Sequence, residues 1–145
     1  MSYNIAEINS GYMSLTAAGL AAGTNAGTFK TANTLTFTNN GTFKSKAATD
    51  NLAFSSGSTA LGNSQACLFG VWINASGTVS TSQGPIVTAG DPCPVPSAPA
   101  ANLTLVGLIK VSTSSSQTFT AGTSTLGSGN TAAFTDCSTM PGAAI

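Results

Sequence analysis

Few residues of this chain could take part in acid–base or nucleophilic chemistry. Its 145 residues include four Lys, four Asp or Glu, and no Arg or His. A Ser-His-Asp triad is excluded, because it needs an imidazole base. Ser45 stands between Lys44 and Lys46, but adjacent side chains of a strand point to opposite faces, so a Ser-Lys dyad is not expected there. We therefore predict a protein that is not an enzyme and has no catalytic residues.

The carboxylates and cysteines give little reason to expect a metal or cofactor. A glycosidase-like pair would need two of Glu7, Asp50, Asp91 and Asp136 to converge. Asp50-Asn51 favours a turn, with a calcium site built from both residues and backbone carbonyls as the alternative. The chain has no CxxC pair and no His, so zinc lacks its usual ligands. We predict neither cofactor nor metal.

The cysteines have different surroundings in the sequence. Cys67 lies in an apolar run and is predicted to be a small core residue. Cys93 lies in a Pro-rich segment and Cys137 near the end of the printed sequence. Those two could form a disulfide after release from a cell, although a reducing cytoplasm disfavours it during synthesis.

The low content of charged residues also limits the classes of partner that the chain can bind. Charged residues make up 6% of the chain, against roughly a quarter in an average domain, whereas Ser and Thr together number 41. Four scattered lysines cannot form a basic surface for phosphates, so no nucleic-acid partner is expected. Apolar runs fall far short of the ~20 residues of a membrane span. The first residues lack the basic and apolar regions of a secretion signal, so we expect synthesis in a cytoplasm and no membrane partner.

The first part of the sequence differs from the rest. Ile5, Ile8, Tyr12 and Leu15 recur at helical spacing. We interpret residues 1–28 as a short helix or an extended arm outside the main core, followed by a β-domain at 29–145. The large side chains of this arm are the candidate contacts with a partner or with another subunit: Tyr3, Ile5, Ile8, Tyr12 and Leu15.

From residue 29 onward the pattern has the period of two that is typical of strands. Leu35 and Phe37 alternate with threonines, and the Asn40-Gly41 pair that follows predicts a hairpin. Residues 66–73 and 103–111 read as long buried strands, and Trp72 is assigned to the core rather than to a sugar-stacking platform. Short strands separated by Gly, Ser, Asn and Pro predict an all-β fold: an antiparallel β-sandwich or barrel, jelly-roll-like, of short strands.

The order of several segments resembles small virion structural proteins of tailed bacteriophages. The segments are residues 26–37, 41–54 and 71–84, then a Pro-rich crossover and Leu-Val-Gly-Leu-Ile-Lys-Val at 105–111. The order carries the resemblance more than any one segment does. The resemblance implies a capsid decoration (cement) protein or a fibre-like component, with no catalytic residues to transfer.

Two functional hypotheses follow from the pattern and the resemblance together. In the first, the chain is a homotrimer on the capsid surface of the virion, and it stabilises the head by contacts with the major capsid protein and with its own copies. In the second, it is a head or tail fibre module or adhesin that binds host-surface glycans. The second hypothesis predicts exposed aromatic side chains near loops 55–65 or 122–130.

Overall fold

The computed structural model describes residues 11–127 and 129–138. This part of the chain is all-β, with eleven strands and only antiparallel pairings between them. The strands are β1 Met13–Ser14, β2 Leu20–Ala22, β3 Thr28–Thr31, β4 Leu35–Asn39, β5 Thr42–Lys46, β6 Thr49–Ala53, β7 Gln65–Ile73, β8 Val79–Gln83, β9 Val87–Thr88, β10 Thr104–Thr113 and β11 Asn130–Asp136. The predicted all-β antiparallel class is confirmed.

The strands form three sheets around one apolar core. The large sheet has the order β11-β10-β7-β8, with β9 also paired to β7. The other two have the orders β1-β4-β5 and β2-β3-β6. Among the described residues, each sheet ends in edge strands and none closes on itself, so the arrangement is consistent with a β-sandwich and not with a closed barrel.

The two long strands of the large sheet form its centre, as their sequences predict. In β7 the side chains of Phe69, Val71 and Ile73 are buried on one face. In β10 the register shifts between Leu105 and Gly107, and the buried side chains change from even positions, Thr104 and Val106, to odd positions, Ile109 and Val111. The bulge therefore keeps both halves of β10 facing the core. Without it, strict alternation would turn the buried side chains of one half toward the outer face.

The Asn-Gly hairpin forms as predicted between β4 and β5. Asn40 and Gly41 have φ values of 49° and 72°, as a two-residue type I′ turn requires. This turn sets the register, which places Phe37 opposite Lys44 and Thr38 opposite Phe43. Leu35 and Phe37 are buried, so the predicted inner face of β4 is confirmed.

The described residues of the expected arm belong to the β-fold. Residues 13–14 form β1 on the edge of β4, and residues 20–22 form β2 on the edge of β3. Ala18 and Leu20 lie in the core cluster. For residues 11–28, the expectation of a helix or of an arm outside the core is wrong, because short segments of this range pair with β4 and β3 and bury apolar side chains in the core. Residues 1–10 lie outside the described part.

Asp136 attaches β2 to the end of the large sheet. Its carboxylate accepts hydrogen bonds from the Gly19 and Leu20 amides, at 3.1 and 3.0 Å. Beside this contact, a Cβ added to Gly107 would lie 2.4 Å from Cδ1 of Leu20. The side chain of Leu20 therefore packs onto the bulge of β10, and only glycine leaves room for it.

Asp136→Ala is expected to lower the free energy of unfolding by about 1.5–3 kcal/mol, because hydrogen bonds to a charged acceptor are lost at two backbone amides. Urea denaturation measures this change. Asp91→Ala is the matched control, since Asp91 is exposed, and its effect should stay within about 0.5 kcal/mol. Equal unfolding midpoints for the two variants would contradict the assignment of this contact.

Trp72 does not lie in the core, so that expectation is wrong. Its neighbours Val71 and Ile73 point inward, so Trp72 lies on the outer face and is half-buried. Its Nε1 donates to Oγ of Ser82 at 2.8 Å, and Ser82 donates to the carbonyl of Ser97 at 2.8 Å. The indole thus holds the Pro-rich crossover against the sheet.

Glycine at position 70 makes room for this packing. A Cβ there would lie 2.6 Å from Nε1 of Trp72 and 3.0 Å from Cγ of Pro96, and Pro96 is buried. The crossover therefore packs against the sheet through one proline and one tryptophan.

Candidate assembly surface

The predicted contact residues fall into three groups. Tyr3, Ile5 and Ile8 lie outside the described residues. Tyr12 is 37% exposed, and its hydroxyl donates to Oδ1 of Asn102 at 2.7 Å. Leu15 is 7% exposed, so it packs within the fold. Tyr12 is therefore the described member of the set that can meet a partner.

The backbone of Gly11 is fixed beside the β4–β5 turn. Its carbonyl accepts hydrogen bonds from the Gly41 amide at 3.3 Å and from Oγ1 of Thr38 at 3.2 Å. Thr38 Oγ1 in turn accepts from the Met13 amide at 3.0 Å. This buried hydroxyl is satisfied as both donor and acceptor. Gly11, the first described residue, therefore lies next to the hairpin turn.

The outer face of the β1-β4-β5 sheet carries an exposed aromatic ring. Thr38 is opposite Met13 on one side and opposite Phe43 on the other. Side chains opposite one another share a face, so these three form one row. Phe43 is 58% exposed, whereas Thr38 between the two apolar side chains is fully buried.

The edge of this sheet is open at β5. Within the described residues, β5 pairs with β4 alone. Lys44 and Lys46 lie opposite Phe37 and Leu35, on the inward face, and thus bring two of the four lysines of the chain to this edge. Charged inward-pointing side chains at an edge oppose unwanted pairing. We call Tyr12, Met13, Phe43, Lys44 and Lys46 the assembly surface.

Sequence reasoning missed Phe43 as part of this surface. The short alternating segment around Phe43 is typical of any half-buried strand and does not show which face is exposed. The turn does indicate the face, because a two-residue Asn-Gly loop pairs residue 39 with 42. Phe43 is then opposite Thr38 rather than Phe37. Phe43 therefore shares the face of the threonines.

In the described part of the chain, the candidate catalytic and metal residues do not lie close together. No three His, Cys, Asp or Glu side chains there are placed so that they could hold a metal ion. The Asp50 carboxylate, proposed for calcium, accepts hydrogen bonds from Oγ1 and the amide of Thr24 and from the amide of Asn51. The Thr24 side-chain bond is the main cause that lowers the pKa of the Asp50 carboxyl. Its oxygens thus stabilise a turn.

A hydroxyl-rich cleft of about 310 Å³ lies between the 55–59 loop and β8. Its polar groups bond to one another: Ser55 and Thr81 exchange amide-to-hydroxyl bonds of 2.9 Å. Gln83 accepts from the Thr59 amide and donates to the Thr59 carbonyl. The ring of Phe69 in its lining is 1% exposed.

The described residues of loops 55–65 and 122–130 contain no exposed aromatic side chain of the kind that the glycan hypothesis predicts.

All three cysteines are free thiols, with Cys67 buried and the other two half-buried. The core position predicted for Cys67 is confirmed. Burial raises the pKa of the Cys67 thiol to about 11 and also raises that of Cys137. Cys93 and Cys137, the pair considered for a disulfide, are not joined.

Cys93 should react first when the native protein is alkylated at mildly alkaline pH, because the thiolate is the reactive form and access controls its rate. Cys137 should follow, and Cys67 should react only after unfolding. Mass mapping of iodoacetamide adducts, with and without denaturant, measures the order. Labelling of Cys67 in the native protein as fast as Cys93 would contradict its buried position.

No helix in residues 11–127 or 129–138 could span a membrane. Comparisons of the chain with protein-family models, with curated proteins and with solved structures gave no match.

Proposed function

We propose that this chain is a non-enzymatic structural protein of a bacteriophage particle. It decorates the capsid surface, where it binds the major capsid protein and its own copies as a homotrimer. The stabilisation of the shell comes from buried area, because about 25 cal/mol per Å² of apolar surface accumulates over many repeated contacts.

The observation that carries this proposal is the exposed Phe43 on an open edge strand. Aromatic side chains are enriched at the centres of protein interfaces, and an unpaired strand edge supplies backbone donors and acceptors to a partner. Phe43 combines both features, with Met13 in the same row and Gly11 held beside the turn that precedes β5.

The composition supports the same proposal. Net charge is zero, so little electrostatic repulsion opposes close packing of copies. Hydroxyl and amide groups enter interfaces without the large desolvation cost of buried charges. Binding through such a surface should change little with salt, since only a few charges are available to be screened.

Co-sedimentation with purified capsids that lack the decorating protein tests the proposal. We expect the chain to pellet with capsids, to saturate in proportion to the major capsid protein, and to remain bound at high salt. A glycan array run in parallel should show no binding. Glycan binding without capsid binding would contradict the proposal and favour the adhesin hypothesis.

Removal of most of the predicted arm, residues 1–24, would be a poor test of its role in binding. Both β1 and β2 lie within that range, and Leu20 belongs to the core cluster. Truncation should instead stop at residue 10, which leaves every described strand in place.

A further inference from the structure

We propose that two copies of this chain pair through the outer edge of β11, so that their large sheets join across a two-fold axis into one continuous sheet. β11 belongs to the large sheet, whereas the assembly surface lies on the β1-β4-β5 sheet. The contact is therefore a second surface, and the inference goes beyond the proposed function without resting on it.

The sequence of β11 has no feature that opposes pairing with another strand. The strand is seven residues long, and its one charged residue, Asp136, stands at its end. It contains neither Gly nor Pro. A long uncharged edge is a template for pairing with another chain.

The other edge strands of the described fold each have a protecting feature. β1, β2 and β9 are only two or three residues long. β5 carries Lys44 and Lys46 on its inward face, and β6 has a register shift against β3. β8 is covered by the 55–59 loop, which bonds to Thr81 and Gln83. Natural proteins block sheet edges by these means, so β11 differs from its counterparts.

The ladder with β10 identifies the outward backbone groups of β11. The Cys137 amide donates to the Val106 carbonyl at 3.0 Å, in the register that continues through the whole of β11. Hydrogen-bonded and non-bonded pairs alternate in an antiparallel ladder, so the odd-numbered residues of β11 bond to β10. The amides and carbonyls of Ala132 and Phe134 therefore point away from β10, and no described residue bonds to them.

A two-fold axis at Ala133 gives a self-complementary register. Ala132 of each copy then forms a hydrogen-bonded pair with Phe134 of the other. Ala133 lies opposite itself in a non-bonded pair, with Cα atoms about 4.5 Å apart. Its methyl group is on the exposed outer face, so the close approach at the axis involves only small side chains. Thr131 lies opposite Thr135, and threonine pairs across strands stabilise a sheet.

Charge favours a second copy as the occupant of this edge. Self-pairing brings each side chain close to its own equivalent, which is unfavourable for a charged strand, but residues 130–135 are all uncharged. Lys110 lies opposite Ala133 on β10, so the two Lys110 backbones are about 14 Å apart across three strand spacings. That separation exceeds the screening length of about 8 Å at physiological salt.

Opposite charges at position 133 provide the test. In full-length chains that also carry Phe43→Ser, so that the assembly surface contributes little, sedimentation velocity should show a concentration-dependent dimer. Ala133→Lys and Ala133→Glu should each weaken it about fivefold, because like charges meet at the axis. An equimolar mixture of the two variants should restore the association.

Ser112→Lys is the matched control, because it adds the same charge to the outer face of β10, one strand away from the edge. It should leave the dimer unchanged. Unfolding midpoints are measured for every variant, since Lys110 lies opposite position 133 within each chain. A monomer at all concentrations, or a dimer that neither substitution at position 133 weakens, would overturn the proposal.

Hydrogen exchange read by NMR separates this pairing from other occupants of the edge. The Ala132 and Phe134 amides should become protected as protein concentration rises, whereas the Ala133 amide, bonded to β10, should be protected throughout. Protection of Ala132 and Phe134 that does not depend on concentration would mean that the chain covers its own edge. Protection that appears only with capsids would mean that the capsid protein is the occupant. Either result contradicts the inference, and neither removes the proposed function.

Discussion

Phe54→Ala is expected to lower the free energy of unfolding by about 3–5 kcal/mol, the usual cost of removing a buried phenylalanine. The side chain is 6% exposed. Its ring centroid lies 5.2 Å from that of Phe29 and 5.0 Å from that of Phe69, both in edge-on geometry. Phe29 belongs to the β2-β3-β6 sheet and Phe69 to the large sheet. Phe54 therefore stabilises the contact between two sheets, and urea denaturation measures the loss.

Phe43→Ala is the matched control for that substitution. It removes the same side chain from a position that is 58% exposed, so the change should stay within about 0.5 kcal/mol. If Phe54→Ala prevents folding altogether, Phe54→Leu keeps much of the volume and should show a smaller loss. Equal stabilities of the Phe54 and Phe43 variants would contradict the assignment of the core.

Phe43→Ser should weaken binding of the chain to capsids or to its own copies by about tenfold or more, while its unfolding midpoint stays close to that of the parent chain. Truncation of a central aromatic side chain is among the largest single effects at interfaces. Sedimentation and capsid co-sedimentation measure the loss. Val95→Ser is the control, because Val95 is similarly exposed at 60% but lies in the Pro-rich crossover. Equal effects of the two variants would remove Phe43 from the assembly surface.

Local sequence signals predicted those parts of the fold that local physics determines. The Asn40-Gly41 turn fixed both the hairpin and its register. The apolar runs around Phe69 and Ile109 identified the central strands, because long β-branched and aromatic stretches need burial on at least one face. The same signals could have located Phe43, had the register been followed outward from the turn.

Features that depend on distant partners could not be predicted in this way. Leu20 belongs to the core because a bulge and a glycine in β10 make room for it, and Asp136 holds its backbone. Trp72 faces outward because the crossover, more than 20 residues later, covers it through Pro96. Both outcomes depend on contacts of high sequence separation, which periodicity alone does not encode.

The proposal that this chain is a capsid decoration protein is tested most directly by its copy number in purified phage particles. Quantitative mass spectrometry against the major capsid protein gives that ratio. A decoration protein should be present in a fixed ratio to the capsid subunits across the whole shell. A handful of copies per particle, or none, would contradict the proposal that this chain covers and stabilises the capsid.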